Sequence, residues 1–307
     1  MNEESVHTVA LMGTVVTIRI VGDAGQPDDE SRRHAASEEA LGWFRQVEQA
    51  CSRFDPDSEL SSLCRRPGKT IAVSPLLFEA VRFALAVAGE TDGAFDPTVG
   101  LRMSARGYNR DYRSGTTVRS AVEPDPSATF RDVHLDSDRG TITLRRPLLL
   151  DLGAAAKGFA IDLAAESLRS RGNFLIDAGG DLSAGGHNAR STAWSVGIRH
   201  PRGDGLIDTV AVSDAAVCTS GDYERGSHLL DPRTGEPASA LASVSVVAES
   251  ALVADVLATA AFVLGPREGR KLLERHGVEG LLITPDLTLH ATAGWDALRP
   301  ATASLPS

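Results

Sequence analysis

Lysine is scarce in this sequence, and one lysine occupies a position suited to a phosphate group. The chain has 307 residues and 31 Lys and Arg in total, of which only three are lysines. Lys157 lies in the stretch DLGAAAKGFAID, where a helix is predicted to begin after Gly153. The free N–H groups and positive dipole end of a helix start favour an anion, above all a phosphate. The segment predicts either a phosphate-facing helix start or a plain strand–helix corner with an exposed lysine.

A second candidate group lies in the apolar segment ALVADVLATAAFVLG. Asp255 and Thr259 are four residues apart, so they share one face of a helix. A lone carboxylate among apolar neighbours is costly unless it is paired or binds a metal. A carboxylate with a hydroxyl is a pair of hard oxygen donors that suits Mg²⁺. The alternative is an Asp close to a helix start that is bonded to the backbone.

A histidine and two turn motifs supply the remaining candidates. His228 lies in HLLDPRTG between two glycine-containing turns, where it is either a general base or an ordinary structural histidine. The stretch GAFDPTVG at 93–100 places an Asp-Pro-Thr turn after an aromatic residue, which borders a pocket or is simply a loop. Taken together, the helix start, the acid–hydroxyl pair and the histidine suit magnesium-assisted cleavage of a phosphoanhydride.

These groups must be positioned by a mixture of hairpins and single helices. Residues 8–21 are predicted to form a strand interrupted at Gly13, LLLDL (148–152) a short buried strand, and HLLD (228–231) a strand-like segment. Helices are predicted at 31–51, from Ser74-Pro75 to about Gly89, from Gly153 to about Arg171, and over 249–265 and 266–276. Residues 109–131 are predicted to be a surface excursion. Strands and helices do not alternate strictly, so the pattern favours an α+β fold over a doubly wound sheet.

Composition excludes several classes of protein. The formal net charge of −10 argues against a nucleic-acid binder and against adsorption to anionic lipid. The three cysteines lack CxxC spacing, which predicts buried or incidental thiols rather than a disulfide framework or a zinc site. No segment approaches the roughly 18 apolar residues of a membrane helix, and the acidic N-terminus has no signal or lipidation pattern. We therefore expect a cytoplasmic protein without stable membrane insertion, with one domain over residues 5–300 and a flexible tail at 301–307.

The same segments, in the same order, resemble the ApbE-type flavin transferases, the FAD:protein FMN transferases. The matching stretches are MGTVVTI, SRFDPDSELSSL, GAFDPTVG, DLGAAAKGFAID, AGGD, TSGDY, HLLDPRTGEP and ADVLATAAFVLG. They run from residue 12 to about residue 265, and the combination of HLLDPRTG, DLGxxAKG and ADxxAT is specific. The resemblance implies one ApbE-like α+β domain, in which mixed and antiparallel sheets pack against helices.

The resemblance also implies a reaction and a set of site residues. The family cleaves the pyrophosphate of FAD with Mg²⁺ and attaches FMN through a phosphoester bond to a Thr or Ser of an acceptor flavoprotein, releasing AMP. Asp255, Thr259 and the backbone carbonyl of Ala154 would then hold Mg²⁺, and His228 would be the base. The residues expected to face FAD are Met12, Phe54, Ala94, Phe95, Asp96, Asp151, Lys157 and Leu229. Two alternatives stay open: a FAD pyrophosphatase with the same site, and a non-catalytic FAD-binding or carrier protein.

Overall fold

A computed structural model describes residues 3–22, 30–119, 123, 125–225 and 229–300. The helices are α1 (Glu30–Cys51), α2 (Glu59–Cys64), α3 (Pro75–Glu90), α4 (Gly100–Ala105), α5 (Gly153–Leu168), α6 (Asp222–Arg225) and α7 (Ala251–Arg275). The strands are β1 (Glu4–Leu11), β2 (Thr14–Val21), β3 (Thr70–Ala72), β4 (Val133–Asp136), β5 (Thr141–Leu144), β6 (Asn173–Ala178), β7 (Asp181–Gly185), β8 (Trp194–Arg199), β9 (Leu206–Val212), β10 (Ala215–Gly221), β11 (Ser243–Ala248), β12 (Glu279–Ile283) and β13 (Leu289–Ala291). The predicted tail at 301–307 lies outside the described residues.

An antiparallel sheet of eight strands organises the molecule, in the order β1-β2-β6-β7-β10-β11-β12-β13. Two smaller antiparallel sheets have the orders β3-β5-β4 and β8-β9. Apolar side chains of the main sheet pack with α1, α3, α5 and α7 in one core. A second core joins the sheet to the β8–β9 hairpin and to the fully buried Trp295. The predicted α+β fold is confirmed.

The chain at residues 8–21 forms two strands, so the prediction of one interrupted strand is wrong. Met12 and Gly13 have φ values of 52° and 73° and connect β1 to β2. A two-residue turn with positive φ at both positions matches the twist of an antiparallel hairpin. The alternation of apolar and polar residues is the same for one strand and for a hairpin, so it did not reveal the turn. The turn places Met12 at the tip of the β1–β2 hairpin.

Residues 148–152 are buried but do not form a strand, which corrects the second strand prediction. Leu148, Leu150 and Leu152 are all buried, as their alternation requires. The backbone is hydrogen-bonded to the GAFDPTVG segment and not to a strand. The Asp151 N–H donates to the Pro97 carbonyl at 2.7 Å. This pairing holds Asp151 beside the GAFDPTVG loop.

The long helices follow their predicted signals. Ser74 caps α3 by accepting a hydrogen bond from the Leu77 N–H at 3.3 Å, and Pro75 opens the helix. The two helices predicted on either side of residue 265 meet at Gly265, which is non-helical with φ of 80°. Among the described residues, no helix is both long enough and apolar enough to cross a membrane.

The start of α7 is fixed against α5. Gly158 faces Ala251 so closely that an added Cβ would lie 2.5 Å from the Ala251 carbonyl oxygen. The Asp162 carboxylate accepts hydrogen bonds from the Ser250 hydroxyl and from the N–H groups of Ala251 and Leu252, at 2.6, 2.7 and 3.0 Å. Because α5 carries Lys157 and α7 carries Asp255, this contact sets the relative position of both side chains.

Candidate active site

A cavity of about 510 Å³ is lined by residues of α1, α5, α7 and β10 and of the segments that connect the elements. Its volume is typical of sites for small molecules, which span roughly 300–1,000 Å³. The lining includes eleven of the twelve residues predicted from the sequence, namely Met12, Phe54, Ala94, Phe95, Asp96, Asp151, Ala154, Lys157, Leu229, Asp255 and Thr259. The twelfth, His228, lies outside the described residues.

The start of α5 forms one wall, but most of its first N–H groups are already bonded within the protein. Asp151 accepts from the Gly153 N–H at 2.9 Å, and the Leu152 carbonyl accepts from Ala155 and Ala156 at 2.9 and 2.7 Å. A helix start attracts anions mainly through unbonded N–H groups. The positive charge of this wall therefore comes chiefly from side chains.

Arg53 is a cavity residue that the sequence did not single out. Its buried guanidinium donates to Asp151 Oδ2 at 2.7 Å, to Ser104 Oγ at 3.5 Å and to the Tyr108 carbonyl. It also stacks on the Phe54 ring at 4.1 Å from the centroid. The only sequence signal was its position next to Phe54 in SRFDPDSELSSL, since its partner Asp151 is 98 residues away.

Lys157 lies between two buried carboxylates. Its Nζ contacts Asp181 Oδ2 and lies 3.9 Å from Asp255 Oδ2. Asp181 is 1 % exposed and Asp255 5 %, so both carboxylates need a nearby positive charge. The sequence matched the AGGD motif that contains Asp181 but did not assign Asp181 a role.

Two hydroxyl groups line the same cavity as Asp255. Thr259 follows Asp255 by one turn of α7, and the Thr259 and Ser220 hydroxyls are hydrogen-bonded at 3.0 Å. The described residues contain no cluster of three or more His, Cys, Asp or Glu side chains arranged for a metal. A carboxylate and a hydroxyl nevertheless fit Mg²⁺, which usually takes one or two protein carboxylates and completes its shell with water and phosphate oxygens.

Asp96 shapes the loop that brings Ala94 and Phe95 to the cavity. Its Oδ1 accepts from the Thr98 N–H and hydroxyl at 2.8 and 2.7 Å, and its Oδ2 accepts from the Phe130 N–H at 3.3 Å. Because both oxygens are engaged, Asp96 holds this loop in shape at the cavity wall.

The polar segment after α4 contributes to the cavity mouth, although the sequence predicted only a surface excursion. Tyr112 lines the cavity and is 41 % exposed, and an added Cβ on Gly13 would lie 3.6 Å from its ring. The Tyr112 hydroxyl donates to Glu48 Oε1 at 2.8 Å. Partial burial raises the pKa of Tyr112 above its ordinary value.

The segment after His228 is a turn rather than a strand, so the strand-like prediction for HLLD is wrong in the described part. Leu230 forms only an isolated bridge with Pro237. Arg102 of α4 donates to the Pro232 carbonyl, and Arg106 donates to the Gly235 carbonyl at 2.6 Å. These two arginines hold the turn so that Leu229 lines the cavity.

Comparison with known proteins finds flavin transferases that are similar to this chain in sequence and in fold. The model of the ApbE family matches residues 12–282. A FAD:protein FMN transferase of Treponema pallidum (strain Nichols) is 35 % identical, over 92 % of this chain and 85 % of its own length. The ApbE protein from Thermotoga maritima has a TM-score of 0.84 and 28 % identity, covering 97 % of this chain and 100 % of its own. Flavin transferase ApbE from Vibrio cholerae has a TM-score of 0.84 and 27 % identity, with the same coverage.

Proposed function

This chain belongs to the ApbE family, and from that premise we propose that it is a Mg²⁺-dependent FAD:protein FMN transferase. The reaction cleaves the pyrophosphate of FAD, attaches FMN through a phosphoester bond to a Thr or Ser of an acceptor flavoprotein, and releases AMP. The observation that carries the proposal is the cavity itself, where apolar side chains line the same space as Lys157, Asp255 and Thr259.

Two groups of lining residues suit the flavin rings and the pyrophosphate of the nucleotide. Met12, Phe54, Phe95 and Leu229 supply apolar surface for planar rings. Lys157 supplies a compact positive charge for the pyrophosphate. In this proposal Asp151, held by Arg53, and the loop shaped by Asp96 position the nucleotide between these two groups of residues.

The donor set around Asp255 supports a magnesium ion. Asp255 and Thr259, with the Ala154 carbonyl, would hold Mg²⁺. When bound, Mg²⁺ supplies positive charge that stabilises the pyrophosphate and the departing phosphate oxygen. Lys157 lies 3.9 Å from Asp255 and adds a second positive charge to the same region.

The proposed transfer is a single displacement at phosphorus. The acceptor hydroxyl oxygen bonds to the phosphorus of the FMN half, and the bond from that phosphorus to the bridging oxygen breaks, so that AMP leaves with the electron pair. The hydroxyl proton passes to a base, the role we propose for His228, because an unactivated Thr or Ser hydroxyl is a weak nucleophile.

The intact mass of a small FMN-accepting flavoprotein domain, incubated with the full chain, FAD and Mg²⁺, tests the proposal. We expect the acceptor to gain the mass of one phosphoester-linked FMN, with one AMP released per FMN attached. AMP with free FMN and an unmodified acceptor would instead indicate a FAD pyrophosphatase. Bound FAD without AMP would indicate a flavin carrier. Asp255→Ala in the same assay controls for contaminating activity.

A further inference from the structure

Asp181 is a buried carboxylate in contact with the cavity residue Lys157, and the proposed reaction gives it no task. It begins β7 directly after Gly179 and Gly180, and it is 1 % exposed. Its Oδ1 accepts from the Thr219 N–H of β10 at 2.9 Å. This bond fixes the carboxylate on the sheet, so its Oδ2 presents an immobile negative charge to Lys157.

The geometry points to Asp181 as a positioning residue that holds the Lys157 ammonium away from the metal-binding oxygens of Asp255. Lys157 Nζ contacts Asp181 Oδ2 but remains 3.9 Å from Asp255 Oδ2. That separation is longer than a charge-assisted hydrogen bond, which measures about 2.7–2.9 Å. Asp181 thus keeps the Lys157 ammonium from competing with a divalent cation for Asp255.

Burial explains why Lys157 would compete with Mg²⁺ for Asp255 if Asp181 were absent. A buried carboxylate attracts an ammonium strongly at close range, so without Asp181 the Lys157 ammonium would move onto Asp255. A four-carbon lysine arm permits that short movement. An ammonium bonded to Asp255 would occupy the oxygen that Mg²⁺ needs and would repel the cation. The inference rests on the proposed use of Mg²⁺ but not on the transfer reaction.

Titration of Mg²⁺ into the full chain without FAD, followed by calorimetry, tests the inference in a double-mutant cycle. The proteins are wild type, Lys157→Met, Asp181→Asn and the double variant. We expect Asp181→Asn to weaken Mg²⁺ binding on the order of tenfold in the wild-type background. In the Lys157→Met background the same change should have less than about a twofold effect, because Asp181 then has no ammonium to hold.

The cycle separates positioning from a simple loss of negative charge. Equal weakening in both backgrounds would show that Asp181 acts through its own field, and it would overturn the inference. Asp177→Asn is the matched control, because Asp177 lies one strand away and bonds the Gly180 N–H rather than Lys157. It should leave Mg²⁺ affinity within about twofold of wild type.

A second variant keeps the test decisive if Asp181→Asn does not fold. Lys157→Arg keeps the charge, but its planar fork reaches two carboxylates at once, so it should also weaken Mg²⁺ binding. Unchanged Mg²⁺ affinity in Lys157→Arg would contradict the inference, and so would a wild-type chain that binds no Mg²⁺. Because no flavin or acceptor is present, failure of FMN transfer would not affect the outcome.

Discussion

Charge pairing inside the cavity is the main feature at the scale of single residues. Arg53 is bonded to Asp151, and Lys157 lies between Asp181 and Asp255. Buried charges of this kind are stable only when each has a partner, and removal of one partner is costly. Variants at the cavity must therefore be shown to be folded, so that lost folding is not mistaken for lost chemistry.

We expect Asp255→Ala to lower Mg²⁺-dependent AMP release by at least about 10²-fold, because it removes the proposed carboxylate ligand. Thr259→Val should give a smaller loss, and Thr259→Ser, which keeps the hydroxyl, should stay close to wild type. AMP formation measured by chromatography over a range of Mg²⁺ concentrations checks all three. Unchanged activity in Asp255→Ala would exclude it as a ligand.

Substitution of His228 is expected to separate the binding of FAD from the transfer of FMN to the acceptor. His228→Ala should keep its affinity for FAD and lose transfer to the acceptor by roughly 10²–10⁴-fold, the usual contribution of a general base. Flavin fluorescence measures binding, and the mass of the acceptor measures transfer. Normal transfer by this variant would refute the proposed base.

At the scale of elements, the contact between α5 and α7 controls the site. Gly158 allows the two helices to approach, and Asp162 bonds to the first N–H groups of α7. Lys157 is next to Gly158 on α5, and Asp255 follows Ala251 by one turn of α7. A change in helix separation would therefore alter the 3.9 Å distance between Lys157 Nζ and Asp255 Oδ2.

Gly158→Ala tests that contact directly. The new Cβ would lie 2.5 Å from the Ala251 carbonyl oxygen, so we expect the free energy of unfolding to fall by about 1–3 kcal/mol. Gly42→Ala in α1 is the control, because an added Cβ there meets nothing within 4 Å. That change should raise the free energy of unfolding by about 0.5–1 kcal/mol through helix propensity. Urea denaturation followed by circular dichroism measures both, and a stable Gly158→Ala would contradict the tight contact.

At the scale of the whole molecule, three cysteines in separate elements make the stability of the fold depend on pH. Cys51, Cys64 and Cys218 are free and buried, which confirms the prediction of buried thiols. Burial raises the pKa of Cys51 to about 12 and that of Cys64 to about 11 from an ordinary value of 9.0, and it raises the pKa of Cys218 well above that value. All three thiols thus keep their protons in the folded state under conditions where an unfolded chain loses them.

These shifts predict a loss of stability in alkali. Between pH 9 and 11 the unfolded chain binds fewer protons than the folded protein, so the free energy of unfolding decreases as pH rises. The slope should reach about 1.4 kcal/mol per pH unit for each thiol. The contribution of the thiols is fully present below pH 9. Urea midpoints at several pH values measure it.

A variant with all three cysteines changed to Ala is the control for this decrease. It should be less stable at neutral pH because of the cavities left in the core, but its stability should fall less steeply above pH 9. An equally steep decrease in the variant would assign the effect to tyrosines or lysines instead.

The sequence by itself determined the features that depend on one short segment. The helices α3, α5 and α7, with the Ser74 cap and the shared face of Asp255 and Thr259, follow from local periodicity and capping chemistry. Motif resemblance added further residues that line the cavity, among them Met12, Phe54 and Leu229. Local patterns did not separate a hairpin from one strand at 8–21, or a buried loop from a strand at 148–152, because burial has the same alternation in both cases.

Only the tertiary structure decided which distant segments meet. The bond from Arg53 to Asp151 joins residues 98 positions apart, and no local pattern specifies such a pair. The contact of Lys157 with Asp181 likewise depends on how α5 packs against the sheet. A buried charge must find its partner across the fold, and the position of that partner is set by the packing of whole elements. The charge balance of the site is for this reason a property of the fold.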